Sequence, residues 1–165
     1  MCFPSVNRYG PNSFVPGLNG CSYTPGLIKH QSRGGYQQRP QGEGGYPNCD
    51  ALCPHGRNLT DAEAKNIAAL GGIVGISFTP GHLNSSGTAD ISDIVAHAKH
   101  YLSLGLENSL SIGADFDGIV NLPRGIINEK NIVDVERAMK EAGIPAEIVE
   151  KIFWHNAENF IKRNM

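Results

Sequence analysis

The chain is predicted to be an α/β protein with parallel strands, and three features of the sequence support this. Two short runs, residues 73–78 and 109–113, are largely apolar, as expected of strands that are buried on both faces. A helical pattern lies between them, and the separation of about 30 residues suits a βαβ unit. No hairpin signal joins the runs. Because two strands are few for a parallel sheet, we expect the C-terminal part of a larger fold.

The helices of this unit carry recognisable signals. Thr60 and Glu63 form a capping box at the start of a helix that continues to residue 70. The helix predicted over 91–104 has apolar residues at the i, i+3, i+4 and i+7 spacing of an amphipathic helix. The other predicted segments are a polar loop over 79–88, a helix over 129–142, and a last helix over 145–160 with Phe153 and Trp154 in the core.

The first 47 residues differ in composition from the rest of the chain. They contain nine Gly and six Pro and carry a net charge of +3, whereas the remainder carries −5. Such a segment buries too little apolar surface to offset its ordering entropy. We therefore predict a disordered leader over residues 1–47 and a folded portion over residues 48–165.

Composition also argues against several classes of protein. A net charge of −2 gives no electrostatic case for binding nucleic acid, and no run approaches the roughly 18 apolar residues of a membrane span. No secretory signal is visible, so we expect a cytoplasmic protein with reduced cysteines. Cys49, Cys53 and His55 are spaced like part of a metal clip, but a fourth ligand is missing and the pattern does not favour one.

Asp115 and Asp117 form the candidate site that spacing alone indicates. They follow the second apolar run, and two residues that are two apart point to the same side of an extended segment. Gly113 and Gly118 flank them and permit a sharp bend or a close approach. Carboxylates at the carboxyl end of a buried strand are typical of α/β enzymes. An ordinary Asp-rich turn explains the same pattern, and spacing does not separate the two interpretations.

Several motifs together resemble one family over about residues 48–163. They are Cys53-Pro54-His55-Gly56-Arg57-Asn58-Leu59-Thr60-Asp61, the run Gly71–Phe78, the helix 91–104 with His97 and His100, Gly113-Ala114-Asp115-Phe116-Asp117-Gly118, and Trp154-His155-Asn156. This set is similar to the C-terminal part of the membrane (renal-type) dipeptidase family, peptidase family M19. The resemblance implies a (β/α)₈ TIM-type barrel, of which this chain has about the last two strands and the following helices.

The resemblance also implies an activity and roles for individual residues. The family hydrolyses dipeptides with two zinc ions that share a bridging carboxylate and a hydroxide. Asp115 matches the aspartate that handles protons and contacts the amino end of the substrate, and Arg57 matches the arginine that holds the substrate carboxylate. Asp117 and Asn58 are expected to support these two. His97 and His100 match helix positions outside the metal site, which implies packing and hydrogen bonding.

Departures from the family pattern concern the metal. The family binds zinc through an N-terminal His-x-Asp pair, a bridging Glu and two later histidines, the last of them in a Ser-His-Ser motif. This sequence contains no His-x-Asp, and Gly45-Tyr46-Pro47 stands where Ser-His-Ser is expected. We therefore expect no metal ligands in this chain, and an inactive, truncated product whose first 47 residues are aberrant.

Three functional hypotheses remain open at this point. The first is a zinc dipeptidase by descent, with a dipeptide as substrate. The second is a phosphatase of the haloacid-dehalogenase type, because Asp115-Phe116-Asp117-Gly118 after a strand is similar to the nucleophile loop of that group. The third is a non-catalytic remnant that needs a homo-oligomer or a completing chain, since exposed strand edges invite pairing.

Overall fold

A computed structural model describes residues 48–164 and shows a mixed helical and sheet structure. The predicted leader, residues 1–47, lies outside the described residues. The elements, in chain order, are α1 (Asp61–Ala69), β1 (Val74–Ile76), α2 (Pro80–Leu83), α3 (Ile91–Ser103), β2 (Leu110–Ile112), a 3₁₀ turn (Glu129–Asn131), α4 (Ile132–Glu141), α5 (Ala146–Glu150), a π turn (Lys151–His155) and α6 (Asn156–Asn164).

The two strands form a parallel pair, which confirms the predicted βαβ unit. Val74 lies opposite Leu110 and Ile76 opposite Ile112, and α3 lies between the strands in the chain. Each strand is shorter than its apolar run, with three residues against a predicted five or six. Hydrogen bonds between the two segments continue past the strand ends, from the Gly113 N–H to the Ile76 carbonyl at 2.9 Å and from the Phe78 N–H to the Ala114 carbonyl at 3.3 Å. The main chain of Ser77 faces the other side and bonds to the side chain of Asn48.

Helix starts follow the local signals of the sequence. Thr60 and Glu63 form the predicted capping box of α1, and Asp90 and Asp93 form another at the start of α3. One short helix, α2, lies within the stretch predicted as a polar loop. Pro80 occupies its first turn, where the fixed φ of proline favours a helix and its missing N–H has no cost.

The hydrophobic core surrounds the strand pair. Both strands are buried, and α3 and α4 pack against each other beside them. The largest side chains of this core with almost no exposed surface include Tyr101, Phe78, Leu59, Ile73, Ile76, Ile94, Leu106, Leu110, Met139 and Ile152. This packing places the carboxyl ends of β1 and β2 at one edge, where the candidate site residues follow.

The last helix differs from its prediction in one respect. Ile152, Asn156 and Phe160, each four residues after the previous one, are buried and form its inward stripe. Trp154 lies off that stripe and is 70% exposed, so its prediction as a core residue is wrong. Phe153 is partly buried and packs against the core.

Within residues 48–164, no helix combines the length and the apolar character needed to cross a membrane.

Candidate functional site

Asp115 occupies an unusual backbone conformation directly after β2. Its φ is +61°, and it is the one non-glycine residue with positive φ among residues 48–164. This conformation costs a non-glycine residue about 1–3 kcal/mol and is kept only where the surroundings require it. The main-chain carbonyl of Asp115 accepts a hydrogen bond from the Gly118 N–H at 2.9 Å, which closes a four-residue turn. The half-buried Asp115 carboxylate is therefore held by a defined turn.

This turn is attached to β1 as well as to β2. The Phe116 ring meets the Phe78 ring edge-to-face, with centroids 5.7 Å apart and planes at 88°. The main-chain N–H of Phe78 donates to the carbonyl of Ala114 at 3.3 Å. Because Phe78 follows β1, the turn that carries Asp115 is fixed to the carboxyl ends of both strands.

Arg57 lies in a loop that the side chain of Asn58 organises. The Asn58 Oδ1 accepts from the Asn48 N–H at 3.1 Å, and its Nδ2 donates to the carbonyls of Cys53 and His82, both at 2.8 Å. Asn58 is buried, so these bonds replace its lost contacts with water. These bonds fix the loop that carries Arg57, and the supporting role of Asn58 at the site stays a prediction.

The Arg57 loop is attached to the segment that follows β1. The His55 ring stacks on the His82 ring with centroids 4.3 Å apart, and the main-chain N–H of Arg57 donates to His55 Nδ1 at 3.2 Å. His82 belongs to α2, which begins at Pro80, four residues after the end of β1. The Arg57 loop and the Asp115 turn are therefore both anchored on residues 78–83. The loop of Arg57 and the turn of Asp115 are thus attached to the segment that follows β1, at the edge where α/β enzymes place their sites.

Asp117 lies in the same turn as Asp115 but is exposed. Its predicted support of Asp115 stays a prediction, as do the catalytic role of Asp115 and the substrate contact of Arg57.

The side chains of residues 48–164 do not fit a metal ion. Nowhere in this range do three or more His, Cys, Asp or Glu side chains come together so that they could hold one.

The sequence pattern of Cys49, Cys53 and His55 is not a metal clip in the structure. Cys49 and Cys53 are both buried, and their thiols donate to the carbonyls of His97 and Gly81 at 3.5 and 3.6 Å. Burial raises the pKa of the Cys49 thiol to about 12. The Cys49 thiol is therefore protonated near neutral pH in the folded chain.

His97 and His100 have structural partners, as predicted. His97 Nδ1 accepts from the Cys49 N–H at 3.0 Å, and Nε2 faces the carbonyl of Leu83 at 2.9 Å. These partners require a neutral ring that is protonated on Nε2. Burial accordingly lowers the pKa of His97. His100 Nε2 lies 2.7 Å from Asp61 Oδ1, which joins α3 to α1.

Asn48 and Asn156 are two buried polar residues. Sequence reasoning did not single out Asn48, and it noted Asn156 only as part of the motif Trp154-His155-Asn156. Asn48 bonds to the main chain of Ser77, and Asn156 Nδ2 donates to the carbonyls of Glu107 and Leu110 at 2.9 and 2.8 Å. The sequence around each gives no signal that separates it from an exposed asparagine.

Comparison with known proteins identifies the family. The sequence profile of the membrane dipeptidase family (Peptidase family M19) matches residues 47–163. The chain belongs to peptidase family M19. The predicted family is thereby confirmed, and nothing in the comparisons supports a phosphatase.

Individual M19 relatives agree with this assignment. A Klebsiella pneumoniae protein known from the 5′ region of pqqA is 30% identical over 115 residues, covering 67% of this chain and 42% of the relative. Dipeptidase tcpJ of Claviceps purpurea is 34% identical over 108 residues, covering 64% of this chain and 25% of the relative. The chain thus spans less than half the length of these relatives.

A solved M19 structure shows the fold that the chain shares. It is a metallo peptidase from Rhodobacter sphaeroides, liganded with a phosphinate mimic of the dipeptide L-Ala-D-Ala. The TM-score is 0.67 at 26% identity, over 72% of this chain and 35% of that chain. M19 dipeptidases of this kind have a TIM-barrel fold, so the β1–β2 unit has its counterpart in such a barrel.

Proposed function

We propose that this M19 chain supplies the dipeptide-binding part of a dipeptidase site, with Arg57 and Asp115 contacting opposite ends of the substrate. One observation carries the proposal: the loop of Arg57 and the turn of Asp115 are both anchored on residues 78–83, at the carboxyl edge of β1 and β2. A dipeptide has one free carboxylate and one free ammonium group. A cation and an anion at one edge of a sheet match that pair of charges.

Arg57 is proposed to hold the substrate carboxylate. Its planar guanidinium can donate two parallel hydrogen bonds to a carboxylate, which a lysine cannot do. The side chain is half-buried, so the pair would be only partly screened by water. The hydrogen bonds of Asn58 keep the loop in place before the substrate arrives, which reduces the ordering cost of binding.

Asp115 is proposed to bind the ammonium group and to move a proton during hydrolysis. A carboxylate serves both purposes, since it accepts hydrogen bonds when ionised and carries a proton when neutral. Its turn fixes the main chain on both sides, through Gly118 and through Phe116. Asp117 is proposed to support the turn from its exposed position.

Zinc is the proposed cofactor of the complete family site, but residues 48–164 do not provide its ligands. When bound, zinc supplies the activated water of a metallopeptidase. We infer that the ligands come from outside residues 48–164, for example from a completing chain that carries them. By itself the chain would then bind a dipeptide without hydrolysing it. We also propose a cytoplasmic location, with which the free thiols of Cys49 and Cys53 agree.

The binding proposal is tested by calorimetric titration of the full chain with L-Ala-D-Ala. We expect measurable binding that Arg57→Gln and Asp115→Asn each weaken at least about tenfold, a loss typical of one charge-assisted contact. Arg124→Gln is the matched control, because Arg124 is another arginine whose side chain is 82% exposed. Absence of binding to the unmodified chain, or equal affinities in all variants, would refute the proposal.

The metal proposal has a separate test. Elemental analysis of the purified chain should find less than stoichiometric zinc, and a dipeptide hydrolysis assay should find no turnover. Stoichiometric zinc together with hydrolysis that Asp115→Ala abolishes would contradict the proposal of an incomplete metal site.

A further inference from the structure

We propose that Gly118 is a positioning residue for Asp115, because its missing side chain leaves the space that the Asp115 carboxylate occupies. This inference rests on the proposed function, in which Asp115 binds the ammonium end of a dipeptide. It adds that Gly118 determines the position of the Asp115 carboxylate.

The contact between the two residues is close. A Cβ atom added to Gly118 would lie 2.5 Å from Asp115 Oδ1, 2.8 Å from Cγ and 2.9 Å from Oδ2. These are the three nearest heavy atoms to that position, and they make up the whole carboxyl group. All three distances are shorter than any van der Waals contact allows. The carboxylate and a side chain at position 118 therefore exclude each other.

The backbone at Gly118 does not itself require glycine. Gly118 is absent from the set of glycines with positive φ, which includes Gly105, Gly125 and Gly143. An alanine at position 118 would thus be acceptable to the main chain. The nearest obstacle to a side chain is the Asp115 carboxylate. Gly118 differs in this from glycines whose positive φ is the reason for their lack of a side chain.

Asp115 cannot relieve the overlap by shifting its main chain. Its φ of +61° is fixed between β2 and the hydrogen bond from the Gly118 N–H to its carbonyl. The edge-to-face contact of Phe116 with Phe78 holds the next residue. The end of the side chain is the flexible part, so a Cβ at position 118 would rotate the carboxylate away. We therefore expect a small effect on folding and a large effect on the ammonium contact.

Two ligands separate this role from a general structural role. L-Ala-D-Ala carries the ammonium group, and its N-acetyl derivative keeps the carboxylate but lacks the ammonium. In calorimetric titrations, Gly118→Ala should weaken binding of L-Ala-D-Ala at least about tenfold, as loss of one charged contact does. Its affinity for the N-acetyl derivative should stay within about twofold of the unmodified chain. Equal weakening for both ligands, or no weakening, would overturn the inference.

Two further variants complete the design. Val120→Ala is the control, because Val120 lies just after the same turn and is 98% exposed, and it should leave both affinities unchanged. The double variant Asp115→Ala/Gly118→Ala should bind L-Ala-D-Ala no more weakly than Asp115→Ala alone. If Gly118→Ala fails to fold, the double variant should fold, since the obstacle has been removed. A double variant that is unfolded or binds more weakly would contradict the inference.

The outcome also distinguishes the inference from the proposed function. If the unmodified chain binds neither ligand, the proposed function fails, and the positioning role is decided by NMR. Three-bond couplings would then report χ1 of Asp115, which should change in Gly118→Ala and stay the same in Val120→Ala. An unchanged χ1 in Gly118→Ala would overturn the inference by itself.

Discussion

The side-chain amide of Asn48 pairs with the main chain of Ser77 as a neighbouring strand would. Nδ2 donates to the Ser77 carbonyl and Oδ1 accepts from the Ser77 N–H, both at 3.0 Å. Val74 and Ile76 direct their main-chain groups toward β2, so Ser77 faces the outer edge of the pair. Asn48 therefore satisfies part of an edge that the sequence predicted to be exposed.

Replacing Asn48 should lower stability markedly. Asn48→Ala would leave the buried N–H and carbonyl of Ser77 without partners, at about 1–3 kcal/mol for each group. We expect the free energy of unfolding in urea to fall by at least about 2 kcal/mol. Asn121→Ala, at an exposed position, is the control and should change it by less than about 0.5 kcal/mol. A loss for Asn48→Ala no larger than the control would show that the pairing contributes nothing.

Asn156 should make a comparable contribution at the other strand. Its Nδ2 donates to the carbonyls of Leu110 and Glu107 and so joins α6 to β2. Asn156→Ala should cost about 1–3 kcal/mol in urea unfolding because these acceptors lose their donor. Asn159→Ala lies in the same helix at an exposed position and serves as the matched control. Similar effects of the two variants would show that the hydrogen bonds from Asn156 to the carbonyls of Leu110 and Glu107 do not stabilise the fold.

His97 should make stability depend on pH. Burial lowers its pKa in the folded chain below the ordinary value of 6.5. Between the two pKa values the unfolded chain therefore binds a proton that the folded chain does not, so stability falls as the pH drops below about 6.5. From pH 7.5 to pH 5.5 we expect the free energy of unfolding to fall, by at most about 1.4 kcal/mol from this one residue.

Two histidine variants test this dependence by urea unfolding at both pH values. His97→Gln should lose stability at each pH, since its bonds to Cys49 and Leu83 change, but its loss on acidification should be smaller than that of the unmodified chain. His155→Gln, with an exposed side chain, should keep the original dependence. An identical pH dependence in His97→Gln would exclude His97 as its source.

Trp154 should contribute little to stability despite its size. It is 70% exposed, whereas Phe160 on the same continuous helix is 4% exposed. Trp154→Ala should therefore change the free energy of unfolding by less than about 0.5 kcal/mol, while Phe160→Ala should cost about 3–5 kcal/mol. A large loss for Trp154→Ala would indicate that the ring has a partner outside residues 48–164.

Local signals in the sequence predicted the order of elements well. The capping box of Thr60 and Glu63, the amphipathic period of α3 and the two apolar runs each act over a few residues, and all three predictions are confirmed. The motif around Asp115 was also found from sequence, because a strand followed by a turn is a local arrangement. The same motifs identified family M19, which the comparisons confirm.

Other features depended on residues far apart in the chain. Asn48 and Ser77 are separated by 29 positions, and Asn156 and Leu110 by 46. Whether an asparagine is exposed or bonds to a strand edge depends on which main chain folds against it, and no local pattern records this. Trp154 shows the same limit, since the stripe of Ile152, Asn156 and Phe160 decides which side of the helix is buried.

Sequence alone established the family, the parallel βαβ unit and the residue types at the candidate site, since these rest on local patterns and motifs. The tertiary structure decided how those residues are held. It brought the Arg57 loop and the Asp115 turn onto residues 78–83, and it set the Asp115 carboxylate against Gly118. These arrangements arise because side chains distant in sequence compete for the same space and the same main-chain hydrogen bonds, and only the folded chain determines the outcome.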